Sequence, residues 1–76
     1  MTLAQLRPGR TGIVVSVGDS GTAGLRLAEM GFVRGTAIRC LRAAPWGDPM
    51  EVCLRGYRLS LRRGQAELVT VEETWD

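Results

Sequence analysis

Residues 36–61 read TAIRCLRAAPWGDPMEVCLRGYRLSL, and the punctuation of this stretch decides the fold. Segments 36–43 and 50–55 read as two antiparallel strands around a loop, because apolar and polar residues alternate along them with the period of a half-buried strand. Pro45 and Pro49 cannot donate to a ladder, so they bound these strands. Arg55-Gly56-Tyr57 turns the chain again, and 58–61 is a further short strand. The register of the hairpin has two readings. With Trp46–Gly47 at its centre, Cys40 faces Cys53, Arg42 faces Glu51 and Leu41 faces Val52. A one-residue offset places Ile38 and Cys40 on the core face with Met50, Val52 and Leu54, since such a slip moves every side chain of one strand to the other face. The offset is preferred because it buries Ile38, and the two cysteines are then not partners.

Upstream, Leu3 and Leu6 form a short apolar stretch before a Pro8-Gly9 turn. TGIVVSV (11–17) is β-branched and predicts a strand with Ile13, Val15 and Val17 on one face. GDSG (18–21) breaks it. A helix is expected over Thr22–Met30, with Ser20 or Thr22 as N-cap. Leu25, Ala28 and Phe32 fall on one helical face, and Leu27 and Met30 on a neighbouring one. Gly31 is placed to end the helix, because glycine reaches positive φ at no steric cost. VRGT (33–36) is a tight turn with Gly35 at its corner. Downstream, RRGQA (62–66) reads as a single helical turn and LVTVE (68–72) as the last strand. The expected fold class is mostly β: about five short strands and one short helix in a sandwich or barrel, forming a single domain over 1–76 with 73–76 as a tail.

Composition limits the chemistry. The chain has 76 residues and no histidine, which removes the usual general base and the commonest zinc ligand. Its two cysteines, Cys40 and Cys53, lack CxxC spacing and cannot alone complete a four-ligand zinc site. A secreted disulfide scaffold of this size carries more cysteines. Residues 1–9 hold no apolar run of the secretory kind, so a cytoplasmic protein with reduced thiols is expected. The net charge is +2 and all ten basic residues are arginine. They are spread along the chain, with Arg62–Arg63 the one adjacent pair. GDSGTAG (18–24) lacks the lysine of a phosphate-binding loop, and no catalytic set is present, so the protein is expected not to be an enzyme.

These landmarks, in this order, resemble the FeoA family, ferrous iron transport protein A. The matching stretches are LAQLRPGRTGIV, LRLAEMGFVRGTAIRC, APWGDPMEVCLRGYRLSLRRGQA and LVTVE. They include the apolar-Gly-apolar step Met30-Gly31-Phe32, the Gly35-Thr36 turn and the Ala-Pro-x-Gly-Asp-Pro loop of 44–49. Tryptophan at the third loop position departs from the aliphatic residue commoner there. The resemblance implies an SH3-like small β-barrel, similar to the C-terminal domain of DtxR-type metal-dependent repressors. It also implies a cytoplasmic, non-enzymatic accessory of FeoB, a membrane ferrous iron transporter with a cytosolic GTP-binding domain.

Four residues are candidates for partner contact. Leu27, Met30 and Phe32 either supply an apolar patch, with Leu25 and Ala28 capping the barrel and Leu27 facing outward, or all three pack into the barrel; methionine and aromatic side chains suit interfaces. Trp46, between prolines, is either a pre-organised anchor or a ring folded back over a small core. Cys40, Cys53, Glu51 and Asp48 are the only ligand types near one another, enough for at most a weak site for divalent iron or zinc. The alternative functions are a metal-binding or metal-sensing module and a small RNA-binding barrel using Arg58, Arg62 and Arg63, although no nucleic-acid partner is expected from so mild a charge. A homodimer formed by pairing open strand edges is a further expected assembly.

Overall fold

The computed structural model describes residues 1–19 and 21–74. Its five strands are β1 (Thr11–Val17), β2 (Ala37–Ala43), β3 (Met50–Leu54), β4 (Tyr57–Leu61) and β5 (Val69–Glu73). They form one antiparallel sheet in the order β4-β3-β2-β1-β5. Helix α1 spans Thr22–Glu29 and the single-turn α2 spans Arg63–Ala66. Two 3₁₀ turns, Leu3–Gln5 and Pro45–Gly47, complete the set. The sheet bends into an open barrel whose end strands, β4 and β5, do not pair. The N-terminus lies along the outer side of β5: Thr2 bridges Thr70, and the Val71 N–H donates to the Met1 carbonyl at 2.9 Å. That leaves Leu3 and Leu6 of the first turn buried in the core.

The central hairpin contains both registers that the sequence allows. Arg42 pairs with Glu51 and Ala43 with Met50 beside the loop, whereas Cys40 pairs with Val52 and Arg39 with Cys53 further down. Leu41 is the bulged residue between them, the extra residue that shifts a ladder by one. Ile38, Cys40, Met50, Val52 and Leu54 are all buried, and the cysteines are not opposite one another. A second bulge, at Val15, corrects the reading of β1. Before it Gly12 and Val14 face the core; beyond it Val17, opposite Val69, turns partly inward. Ile13 and Val15 are therefore only half-buried. Gly12 lies so close to β5 that a Cβ there would stand 2.9 Å from a Val71 methyl.

The turns follow their glycines. Pro8-Gly9 closes with the Arg10 N–H on the Arg7 carbonyl at 3.0 Å, and Val33–Thr36 with the Thr36 N–H on the Val33 carbonyl at 3.1 Å. Arg55 and Gly56 both have positive φ, 51° and 82°, the pair that a two-residue hairpin turn needs. At the end of α1, the Phe32 N–H reaches the Leu27 carbonyl and the Gly31 N–H the Ala28 carbonyl, both at 3.0 Å. With Gly31 at φ 110°, this is a Schellman cap, which satisfies carbonyls the helix leaves orphaned.

The start and the phase of α1 differ from expectation. Gly21 is the N-cap and makes no side-chain cap bond; its N–H donates instead to Asp19 Oδ1 at 2.8 Å. Thr22 is thus the first helical residue rather than the cap, and Ser20 lies outside the described residues, as do Trp75 and Asp76 of the expected tail. Gly24 packs so closely on the preceding chain that a Cβ would stand 1.6 Å from the Asp19 carbonyl oxygen. This contact turns the Gly24–Leu27 face inward. Leu27 and Phe32 are fully buried, and Leu25 is 63% exposed. Of the two arrangements open to the helix, the one with Leu25 and Ala28 capping the barrel and Leu27 outside is excluded, and Leu27 and Phe32 pack into the barrel.

Candidate partner-docking site

The β2–β3 loop carries the largest exposed side chain among the described residues. Trp46 is 89% exposed, so its ring does not fold back over the core. Its backbone is left-handed, with φ 64°, and Gly47 follows at φ 73°. A side chain in that region costs roughly 1–2 kcal/mol, so the surroundings must fix it. The Gly47 N–H donates to the Ala44 carbonyl at 2.7 Å, and the Ala44 N–H to the Pro49 carbonyl at 2.9 Å. α2 supplies the other brace. Arg63 Nη1 donates to the Trp46 carbonyl at 2.9 Å, and the Arg63 backbone N–H to Asp48 Oδ1 at 3.2 Å. Arg62 Nε stands 3.5 Å from the same Asp48 oxygen. The result is a pinned backbone under a free aromatic ring.

The other residues expected at a partner surface are placed differently. Leu27 and Phe32 belong to the core, and Met30 is half-buried against it. None of the three projects as Trp46 does, because the α1 cap carries the chain from Leu27 through Gly31 to Phe32 directly over the sheet. The Met30 carbonyl also accepts the Tyr57 hydroxyl, which ties the end of α1 to β4. The apolar residues that remain accessible here are Leu25 and, at 38% exposure, Val33.

The proposed metal ligands are not brought together. Cys40 faces the core, where burial pushes its thiol up from the ordinary range. Cys53 and Glu51 occupy the opposite face of β3. Glu51 is held between two arginines, Arg42 Nη2 at 3.5 Å and Arg58 Nη1 at 4.0 Å. Asp48 is committed to α2. Among the described residues, no three of the metal-ligating types cluster in a way that could hold a cation.

The fold also assembles something that reading the arginines one by one misses. Residues 36–66 hold six of the ten arginines against two acids, Asp48 and Glu51, a net +4, while the rest of the chain is net −2. Strand pairing sets Arg39, Cys53 and Arg58 side by side, with Arg42, Glu51 and Ser60 in the next row. Counting charge by predicted hairpin rather than along the whole chain would have found this concentration.

Comparison with known proteins places the domain. Residues 1–73 match the FeoA domain. The Fe(2+) transport protein A/Fe(2+) transporter FeoB fusion protein of Porphyromonas gingivalis is 38% identical over 72 residues, which are 95% of this chain and 8% of that protein. The chain thus spans a small fraction of the curated relative it matches. The NMR structure of a FeoA-like protein from Clostridium acetobutylicum superposes with a TM-score of 0.91 at 33% identity, covering 100% of this chain and 88% of that one. FeoA of Stenotrophomonas maltophilia, described as an SH3 domain protein and crystallised with zinc, gives 0.85 at 34% identity, covering 95% and 89%. A manganese-dependent transcriptional repressor shares the fold alone, with a TM-score of 0.87 at 21% identity over 97% of this chain and 36% of that one. No helix among the described residues is long and apolar enough to cross a membrane. From the match over 1–73 and from relatives of this identity, the chain belongs to the FeoA domain family.

Proposed function

We propose that this chain is a non-enzymatic accessory of ferrous iron uptake that works by direct contact with the cytosolic GTP-binding domain of a FeoB-type transporter. One observation carries the reading: in the Porphyromonas relative, a segment 38% identical to this chain belongs to the same polypeptide as the transporter. Fusion supplies by covalent linkage the proximity that a separate domain must obtain by binding. The Stenotrophomonas protein has likewise been put forward as a ferrous iron transport activating factor. In this reading any GTP hydrolysis belongs to the partner. Its place of action is the cytoplasmic side, where the partner's GTP-binding domain lies.

The test is calorimetric titration of the cytosolic domain of the cognate transporter with this chain, with and without a GTP analogue and ferrous iron. Micromolar binding in at least one nucleotide state is the expected result. Absence of binding in all of them overturns the reading. A second reading, a metal-binding module, is favoured by the zinc held in the Stenotrophomonas crystals. Tight stoichiometric uptake of zinc or ferrous iron by this chain alone, together with no transporter binding, would replace the first reading by the second.

A further inference from the structure

We propose that the outer face of β2, β3 and β4, beneath the Trp46 tip, is a groove that takes an extended acidic segment of a partner protein. The proposal deepens the accessory reading and rests on it for the identity of that partner. An open hollow of about 480 Å³ lies between the loop and the sheet, lined by Arg42, Ala44, Pro49, Met50, Glu51 and Ser60. It runs into a second hollow of about 300 Å³ that shares Arg42, Glu51 and Ser60 and adds Arg58. Together they form a channel along the sheet whose loop end has an apolar lining and whose sheet end is cationic.

The charge pattern selects the occupant. The side chains of Arg42 and Arg58 are 79% and 76% exposed, and both lie within ion-pair reach of the single Glu51 carboxylate. Glu51 orients two guanidinium groups and compensates one, so planar donors remain for incoming carboxylates. Arg39, exposed in the adjacent row, adds a further positive charge. At the loop end, Ala44 and Pro49 offer apolar contact, and the same loop carries the exposed Trp46 on its pinned backbone, the residue type favoured at interface hot spots. The two hollows follow one another along the strands, a linear arrangement that suits a chain in extended conformation. Single-stranded nucleic acid stacks its bases on a series of aromatic rings, and here one ring stands at one end. An acidic, extended protein segment with an apolar residue at its Trp46 end meets every part of the groove.

The experiment follows backbone amide resonances of the isotope-labelled chain during two titrations, one with a synthetic oligo-glutamate peptide and one with the transporter's cytosolic domain. Both are expected to shift the same amides in 42–51 and 58–60 and the Trp46 indole. The double variant Arg42→Glu/Arg58→Glu is expected to weaken both by about tenfold or more, as for charge pairs at other interfaces. The paired Arg→Lys variant, which keeps the charge, should retain most of the peptide affinity. Dispersed amide spectra verify that each variant is folded. Transporter binding that survives the double variant, or that shifts α1 around Leu25 instead, overturns the groove and leaves the accessory function standing. Peptide binding at the groove with no transporter binding keeps the groove and removes the transporter. No shift from either titrant sinks both. Tighter binding of oligouridine or phosphatidylglycerol vesicles than of the peptide, lost in Trp46→Ala, overturns the protein occupant.

Discussion

Helix α1 and the β2–β3 loop handle a large apolar side chain in opposite ways. In α1, Leu27 is fully buried, while Leu25, two residues earlier, is 63% exposed. In the loop, Trp46 is 89% exposed on a backbone fixed by Arg63 and Asp48. A glycine decides the first case. Gly24 packs on the Asp19 carbonyl, and with that face turned inward Leu27 reaches the core. Hydrogen bonds decide the second, because they fix the loop backbone without any help from the ring. The lesson is that side-chain size does not by itself assign a residue to the core; the backbone around it does.

The largest effect expected from this contrast is at Leu27. Leu27→Gln removes a fully buried side chain and places an amide in the core, at a cost of about 3–5 kcal/mol. That is a large part of the roughly 4–11 kcal/mol available to a domain of this size. Leu25→Gln should change stability by under about 0.5 kcal/mol. Urea unfolding of the two variants decides between the phases, and comparable midpoints would break the comparison. Any loss of partner binding in Leu27→Gln is then a folding effect, whereas a loss in Leu25→Gln reports a surface.

Next comes Gly24→Ala. At an open helix position alanine is favoured over glycine by about 1 kcal/mol. Here the added methyl must displace the chain at Asp19, and a net loss of about 1–3 kcal/mol is expected, as for other overpacked sites. A stabilised variant would show that Asp19 yields freely and that the glycine does not set the helix phase.

Smaller effects belong to the loop. Trp46→Gly suits φ 64° better than tryptophan does and is expected to shift stability by less than about 1 kcal/mol in either direction. The same variant should lose partner affinity about tenfold, which separates binding from folding. Arg63→Ala removes the hydrogen bond to the Trp46 carbonyl, at about 1 kcal/mol, and should broaden the loop amides around 45–48 while leaving those of the core unchanged.

The smallest effect concerns the thiols. Iodoacetamide is expected to modify the half-buried Cys53 promptly and Cys40 only on unfolding. Burial raises the Cys40 thiol in the folded state, so above about pH 8.5 the unfolded chain ionises there while the folded one holds its proton. Stability contributed by the protonated thiol is therefore full below that pH and declines as pH rises through it. Cys40→Ala should remove this part of the alkaline decline, and an unchanged alkaline slope would refute it.

Much of the fold was legible in the sequence because local rules fix it. Pro8-Gly9, Gly31, Gly35 and Arg55-Gly56 each mark a turn that the chain makes, and the strands begin and end within a residue or two of their alternating runs. Two bulges were not legible. Val15 and Leu41 each change which side chains face inward, and a bulge is selected by the partner strand rather than by the residue that bulges. Of the candidate site, Trp46 was named from its flanking prolines. The groove beneath it was missed, since Arg39, Arg42 and Arg58 become neighbours only when β2 and β4 lie on either side of β3.

The sequence by itself determined a small antiparallel β domain, its turns, the ladder-breaking loop at 44–49 and membership of the FeoA family, all consequences of short-range preference and ordered motifs. The tertiary structure alone decided the phase of α1, the split register of the central hairpin, the separation of Cys40 from Cys53 and the gathering of arginines into one face. The physical reason is common to all four. Each depends on contacts between residues distant in the chain, such as Leu27 packing into a core built by the strands, and these outweigh any preference that a short window of sequence expresses.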